Sequence, residues 1–292
     1  MASQDTEERP SKVRRMKGAG PTGLASVVTI VVGTEEEKET FVLHESLLRQ
    51  SSAFFDKALN GAWKEAQIGT VKLPETGIQT FAVFAKFLLT GWLFIQKEDE
   101  VLPTGGSIQR GSAHEVSIRN ALTFIVCLLE LAHFLQAPDF QDAAVDAFIE
   151  TLHEFREGKR VVSFAGVSVA RIYEHSMLKS PVRKLIVDIC LHAWIDKTAY
   201  KNRNFESYPH RFCHDFMKAA AQYITSENDA NRAQDPLDIS KSCKYHEHTC
   251  SKQPCYKEKF QFLMKKPEVT QGQETAVESA TESNTENKDA GL

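Results

Sequence analysis

The run Val27-Val28-Thr29-Ile30-Val31-Val32 constrains this chain most, because every residue in it is β-branched. Branching at Cβ restricts χ1 in a way that suits a pleated strand and not a helix. Gly33 and the polar residues 34–38 end the run, and Phe41-Val42-Leu43 answers it, so the two predict a hairpin. Thr70-Val71-Lys72-Leu73-Pro74 alternates and reads as a third short strand. Everything after it repeats at helical spacing. One small sheet near the start, followed by helices, can bury its apolar face only by laying helices on it, so the expected class is α+β.

The helical segments carry their own punctuation. Residues 44–48 and 52–59 read as two short helices, with Ser52 placed to cap the second and Asn60-Gly61 to stop it. Thr76-Gly77-Ile78-Gln79 has the form of a capping box. Behind it Ile78, Phe81, Phe84, Ala85 and Leu88 share one face, and Gly91 supplies the stop. Residues 96–116 are polar and glycine-rich and read as a surface insertion. Two long helices follow, one on Ile118, Leu122, Ile125, Leu129 and Ala132, the other from Pro138-Asp139 on Phe140, Ala144, Ala147, Phe148 and Leu152. Further helices are expected over 169–177, from Ser180-Pro181, and from Pro209. The ends differ. Residues 1–25 are polar and read as a disordered tail, and residues 267–292 hold six acidic residues, one lysine and no aromatic, too little to build a core.

Composition removes some functions. With 25% charged residues and a net charge of −4, the chain has no global basic field to hold nucleic acid or an anionic membrane. Lys12, Arg14, Arg15 and Lys17 form a small basic cluster that reads as a solvated tail, with nuclear import as the alternative. The first 25 residues contain no apolar core of a secretory signal, so a reducing cytoplasm or nucleus is expected. The most apolar stretch, residues 121–135, is interrupted by Glu130 and His133 and reads as a buried helix. Enzyme motifs fail on inspection. Gly106-x4-Gly111 has P-loop spacing but Ser112 where lysine is needed, and His44-Glu45, His114-Glu115 and His153-Glu154 lack the second histidine of a zincin helix. No Gly-x-Ser-x-Gly elbow is present.

One segment has metal-ligand character. Cys243-x2-His246-x3-Cys250-x4-Cys255 offers four soft or borderline ligands closing small loops, with His248 as a rival to His246. A structural zinc would need such a set; the alternative is a loop of unpaired thiols. Cys127, Cys190 and Cys213 lie in helical patterns and read as packing residues. Lys241, Lys244, Lys252, Lys257 and Lys259 around the segment leave nucleic-acid binding as a minor reading.

Four motifs in order carry a family likeness. Phe41-Val42-Leu43-His44-Glu45-Ser46-Leu47-Leu48 and then Ser51-Ser52-Ala53-Phe54-Phe55 resemble the BTB/POZ signature. Residues 81–91, an aromatic helix ending in Thr90-Gly91, and residues 128–144 are similar to the later helices of that domain. The likeness spans residues 26–153; the helices over 160–226 and the Cys/His-rich segment 237–266 resemble the fungal branch of the family. It departs from the pattern where the first strand lacks an acid and Glu45 follows His44, which weakens any expectation of a charged groove or a domain-swapped dimer. No Kelch, MATH or C2H2-finger region is visible.

The resemblance implies a protein-interaction adaptor without catalysis, of the kind that presents clients to cullin-type ubiquitin ligases. An alternative is a BTB oligomerisation scaffold or transcription-associated protein with no ligase role. In the cullin-binding branch an apolar-x-Glu motif follows the second helix, and Trp63 and Glu65 fall on it. Trp63 either meets a partner or covers the domain's own core. The likeness further implies that His44 is a packed structural histidine at a strand end.

Overall fold

The computed structural model describes residues 26–61, 63–95, 112–157, 166–195, 205–225, 234–251 and 253–260. The expected disordered tails at 1–25 and 267–292, and most of the insertion at 96–116, lie outside them.

Strands β1 (Val27–Gly33), β2 (Lys38–His44) and β3 (Thr70–Leu73) form one sheet in the order β2-β1-β3. β1 and β2 are the expected antiparallel hairpin, with Thr29 opposite Val42 and Ile30 opposite Phe41. β3 runs parallel to β1, pairing Thr29 with Thr70 and Val32 with Leu73. Parallel strands need a crossover, and helices α1 (Glu45–Ser51), α2 (Ala53–Ala58) and α3 (Lys64–Ile68) occupy the chain between β2 and β3. Along β1 the buried residues are Val28, Ile30 and Val32, the period-two pattern of a sheet covered on one face.

Helix α4 (Ile78–Thr90) lies on that covered face. A train of rings joins the layers: Phe41 of β2 meets Phe81 of α4 at 5.0 Å, Phe55 of α2 stacks on Phe84 at 6.4 Å, and Phe84 and Phe87 contact Phe140 at 5.1 and 5.4 Å. Such pairs add about 0.5–1.5 kcal/mol each beyond their buried area.

Phe140 belongs to α6 (Pro138–Glu157), which packs along α5 (Ala113–Leu135). Ser52 ties the entry of α2 to the end of α5. Its buried Oγ accepts from the Phe55 N–H at 3.2 Å and donates to the Leu135 carbonyl at 2.5 Å. Helices α7 (Gly166–His175), α8 (Pro181–Ile195) and α9 (His210–Thr225) complete the helical part. Arg171 of α7 grips Glu130 of α5 with two bonds of 2.7 and 2.6 Å. Arg183 holds the α7–α8 corner, donating to the Tyr173 carbonyl at 2.6 Å and to Ser176, with its guanidinium 4.6 Å above the Tyr173 ring.

Four local expectations change. The capping box at Thr76 does not form; Gly77 is the N-cap of α4, without a side-chain cap, and Thr80 Oγ1 donates to the Gly77 carbonyl instead. α2 closes through Leu59 with φ −96°, so Asn60-Gly61 supplies no left-handed stop. α5 starts at Ala113 under a Ser112 cap, so the insertion ends before residue 116. Finally, the apolar cluster is continuous from Val28 to Tyr256, so residues 26–153 share one core with the helices and segment that follow. Helix α5 is also longer than its apolar stretch suggested. Among the described residues it alone is long and apolar enough to cross a bilayer, yet Ile125, Leu128, Ala132 and Leu135 are fully buried inside the protein.

Candidate metal centre

Residues 234–251 and 253–260 fold as a series of tight turns against α6 and α8. A 3₁₀ helix, Ile239–Tyr245, starts under Asp238, whose side chain accepts from the Ser240 N–H at 3.1 Å. Tyr245 plugs it into the core, fully buried, with its hydroxyl donating to Asp188 at 2.9 Å. Arg156 at the end of α6 pairs with Asp235 at 2.7 Å. The backbone then turns at His246, whose N–H reaches the Cys243 carbonyl at 3.1 Å, and again at Thr249, which bonds back to the His246 carbonyl. Cys255 is the N-cap of a last short turn, Tyr256–Lys259.

These turns bring together Cys243, His246, His248 and Cys255, whose donor atoms all lie within 4.8 Å of one another. The Cys255 Sγ is 3.8 Å from His246 Nδ1. In a tetrahedral zinc site with bonds of about 2.3 Å to sulfur and 2.0–2.1 Å to nitrogen, the S···N edge is roughly 3.6 Å. The donors therefore stand close to the positions such an ion requires.

Two aspartates of α6, one turn apart, orient the imidazoles. His246 Nε2 lies 2.9 Å from Asp146 Oδ1, and His248 Nδ1 lies 2.9 Å from Asp142 Oδ2. A carboxylate accepts, so each histidine donates from that nitrogen and keeps the lone pair of the other, Nδ1 of His246 and Nε2 of His248. Burial acts to raise the Asp146 carboxyl, but the bond to His246 and its charge, with bonds from Ser242 and Tyr256, outweigh it and hold it at about 2. Burial dominates at Asp142 and moves its carboxyl upward, although the Glu247 N–H and His248 bond to it. The Cys255 thiol is pushed up to about 11, chiefly by burial, so in the absence of a cation it stays protonated at neutral pH. A bound divalent ion would reverse that preference, because thiolate is the ligand form.

Both histidines join the cluster, where the sequence set His248 as a rival to His246. The Cys250 side chain lies outside the described residues. Asp142 and Asp146 escaped sequence reading because they sit a hundred residues upstream; their one signal is a pair of acids at helical spacing inside the apolar stretch 140–149.

The other sequence-predicted residues lie elsewhere. Trp63 is the N-cap residue of α3 and 62% exposed, so it does not cover the core. It and the partly buried Glu65 line a groove of about 550 Å³ with Phe54, Ala58, Ile68 and Val71. His44 sits half-buried at the end of β2, and its Nδ1 has no hydrogen-bond partner among the described residues. Cys190 is buried as a packing residue, while Cys127 and Cys213 are half-buried.

Fold and site together define an α+β, mostly helical chain whose C-terminal segment closes on α6 through a four-residue Cys/His cluster that could hold a metal ion. No protein-family model and no curated protein matches it.

Proposed function

We propose that this chain is a BTB/POZ-type adaptor that works by binding other proteins, engages a cullin-type scaffold through Trp63 and Glu65, and carries one structural zinc on Cys243, His246, His248 and Cys255. The observation that carries the reading is the exposed indole of Trp63 at the lip of an apolar groove. Ile68 is 60% exposed in the same groove, and Phe134, 50% exposed, packs 5.0 Å from its Phe54. Contiguous exposed apolar surface of this kind marks a partner site more often than a solvent face. The short helices followed by a strand after the hairpin, α1 to α3 and then β3, are compatible with the BTB likeness, and the zinc acts as a staple and not as a reaction centre, since all four ligand positions come from protein.

The test is co-purification of a cullin scaffold with wild-type protein and with Trp63→Ala and Glu65→Ala, alongside calorimetry of each. Truncating a central interface tryptophan typically costs about 2–4 kcal/mol, roughly 30- to 1,000-fold in affinity. Lost binding at an unchanged melting temperature supports the reading; failure of the wild type to bind any cullin sinks the ligase part. A second reading, a homo-oligomeric scaffold, draws on β2 being a sheet edge with Val42 62% exposed. Val42→Lys would then lower the oligomeric state without touching cullin binding.

A further inference from the structure

The Cys/His cluster is built from two unlike halves. The histidine half is fixed to the helical body, with His246 held by Asp146 and His248 by Asp142, each at 2.9 Å. Glu247 between them is fastened too, its Oε1 accepting from Gln141 Nε2 at 2.9 Å and from Ser180 Oγ at 2.7 Å. The cysteine half sits on turns. Cys243 lies in the 3₁₀ helix Ile239–Tyr245, and Cys255 follows residues 253–254, which belong to no helix or strand.

The two sulfurs are placed to react with each other. Both cysteines are free thiols, their Sγ atoms lie within 4.8 Å, and they interact directly. Sulfurs bound to one tetrahedral ion at about 2.3 Å stand roughly 3.8 Å apart, whereas a disulfide needs about 2.05 Å. Ion and bridge therefore exclude one another. Access is unequal: Cys243 is half-buried and Cys255 is 6% exposed, so an oxidant arriving from solvent meets Cys243 first. Cys127, Cys190 and Cys213 lie on α5, α8 and α9, outside the cluster.

We propose that Cys243 and Cys255 form a reversible redox pair, which a peroxide closes to a disulfide and which gives up the metal as it closes. The proposal rests on the zinc reading of this cluster. Thiolate is the ligand form of cysteine and also its nucleophilic form. The Cys243 thiolate attacks one oxygen of hydrogen peroxide; the O–O bond breaks, hydroxide leaves, and a sulfenic acid forms. The Cys255 thiolate then attacks that sulfur, making the S–S bond and expelling a second hydroxide. Two electrons pass from the sulfurs to the peroxide oxygens, and the two hydroxides balance the charge of the released Zn²⁺. His246 and His248 stay on their aspartates throughout. Reduction by a dithiol therefore returns both thiols to a site whose other half is still in place.

The test treats reduced, zinc-loaded full chain with equimolar hydrogen peroxide. Zinc is followed with a chromophoric chelator too weak to strip the reduced protein, and the cysteines by peptide mass mapping. The expected result is loss of the bound zinc in step with a Cys243–Cys255 disulfide, reversed by dithiothreitol and fresh zinc. Cys213→Ser, which removes a half-buried thiol outside the cluster, should change none of this. Zinc kept after peroxide, zinc lost through any other cysteine pair, dependence on Cys213, or a loss that reduction does not reverse would each overturn the switch and leave the zinc reading standing. Reduced protein that holds no zinc would overturn the zinc reading itself, and the switch with it.

Discussion

Nε2 of His246 lies 2.9 Å from Oδ1 of Asp146, with the histidine side chain fully buried and the aspartate nearly so. A hundred residues of chain separate them, and the bond leaves Nδ1 of the imidazole facing Cys255 at 3.8 Å. The tautomer that a metal needs is thus set by a helix far away in sequence.

Asp146→Asn should therefore weaken zinc binding while leaving every ligand in place. Loss of a carboxylate behind a ligating histidine typically costs about 10–100-fold in metal affinity. Competition against a chromophoric chelator reads it directly. Affinity equal to wild type would mean that Asp146 serves packing alone.

Acid should act through the same carboxylate. Its folded value of about 2 lies below the ordinary 3.8, so its contribution is complete above about pH 4 and is lost as pH falls toward 2. The share is on the order of 2 kcal/mol. Asp142 runs the other way: its raised carboxyl favours the fold at low pH and costs stability as pH rises through its folded value. Urea melts of chelator-treated protein between pH 5 and pH 2 should show a shallower loss for Asp146→Asn than for wild type. Parallel curves would remove this account.

Ser52→Ala should destabilise the protein without touching the metal centre. The hydroxyl caps α2 and bonds the last carbonyl of α5, in a position 1% exposed. Losing a cap and leaving a buried carbonyl unpaired costs about 1–2 kcal/mol, a drop of roughly 2–8 °C in melting temperature for a chain of this size. Calorimetry checks it.

Gly91→Ala should cost more than Gly69→Ala. Both glycines are left-handed, with φ of 74° and 66°. Around Gly69 a Cβ would meet nothing within 4 Å, whereas at Gly91 it would lie 2.5 Å from the Phe260 ring. That ring packs on Phe87 at 5.6 Å and anchors the end of the described C-terminal segment. Gly69→Ala reports the backbone strain, about 1–2 kcal/mol. The excess for Gly91→Ala, read as a lower melting temperature with faster amide exchange at residues 253–260, reports the displaced ring. Equal effects would show that Phe260 shifts freely.

Much of the fold was legible because its signals are local. β-branching marked β1, ring spacing marked α4, Gly91 its end, and Ser52 the start of α2, each a matter of a few neighbouring residues and their backbone preferences. The parallel pairing of β3 was not legible, because alternation says which residues share a face and nothing about strand direction. The capping box at Thr76 misled for a related reason: its pattern fits, but Gly77 holds the N-cap position and Thr80 turns its hydroxyl to the Gly77 carbonyl.

The candidate site divides the same way. The spacing of Cys243, His246, Cys250 and Cys255, with His248 as a rival to His246, was visible, since ligands in one short segment can close small loops by themselves. That both histidines converge was decided by α6, where Asp142 and Asp146 take one imidazole each. The exposure of Trp63 was likewise a tertiary outcome. A tryptophan after a helix end reads equally as core or as surface until the packing around it is known, and here Phe55, Phe81 and Phe84 already fill the core that it would have entered. Local sequence carries backbone preference; which side chains find room inside depends on volumes contributed by every element at once, and only the folded chain settles that.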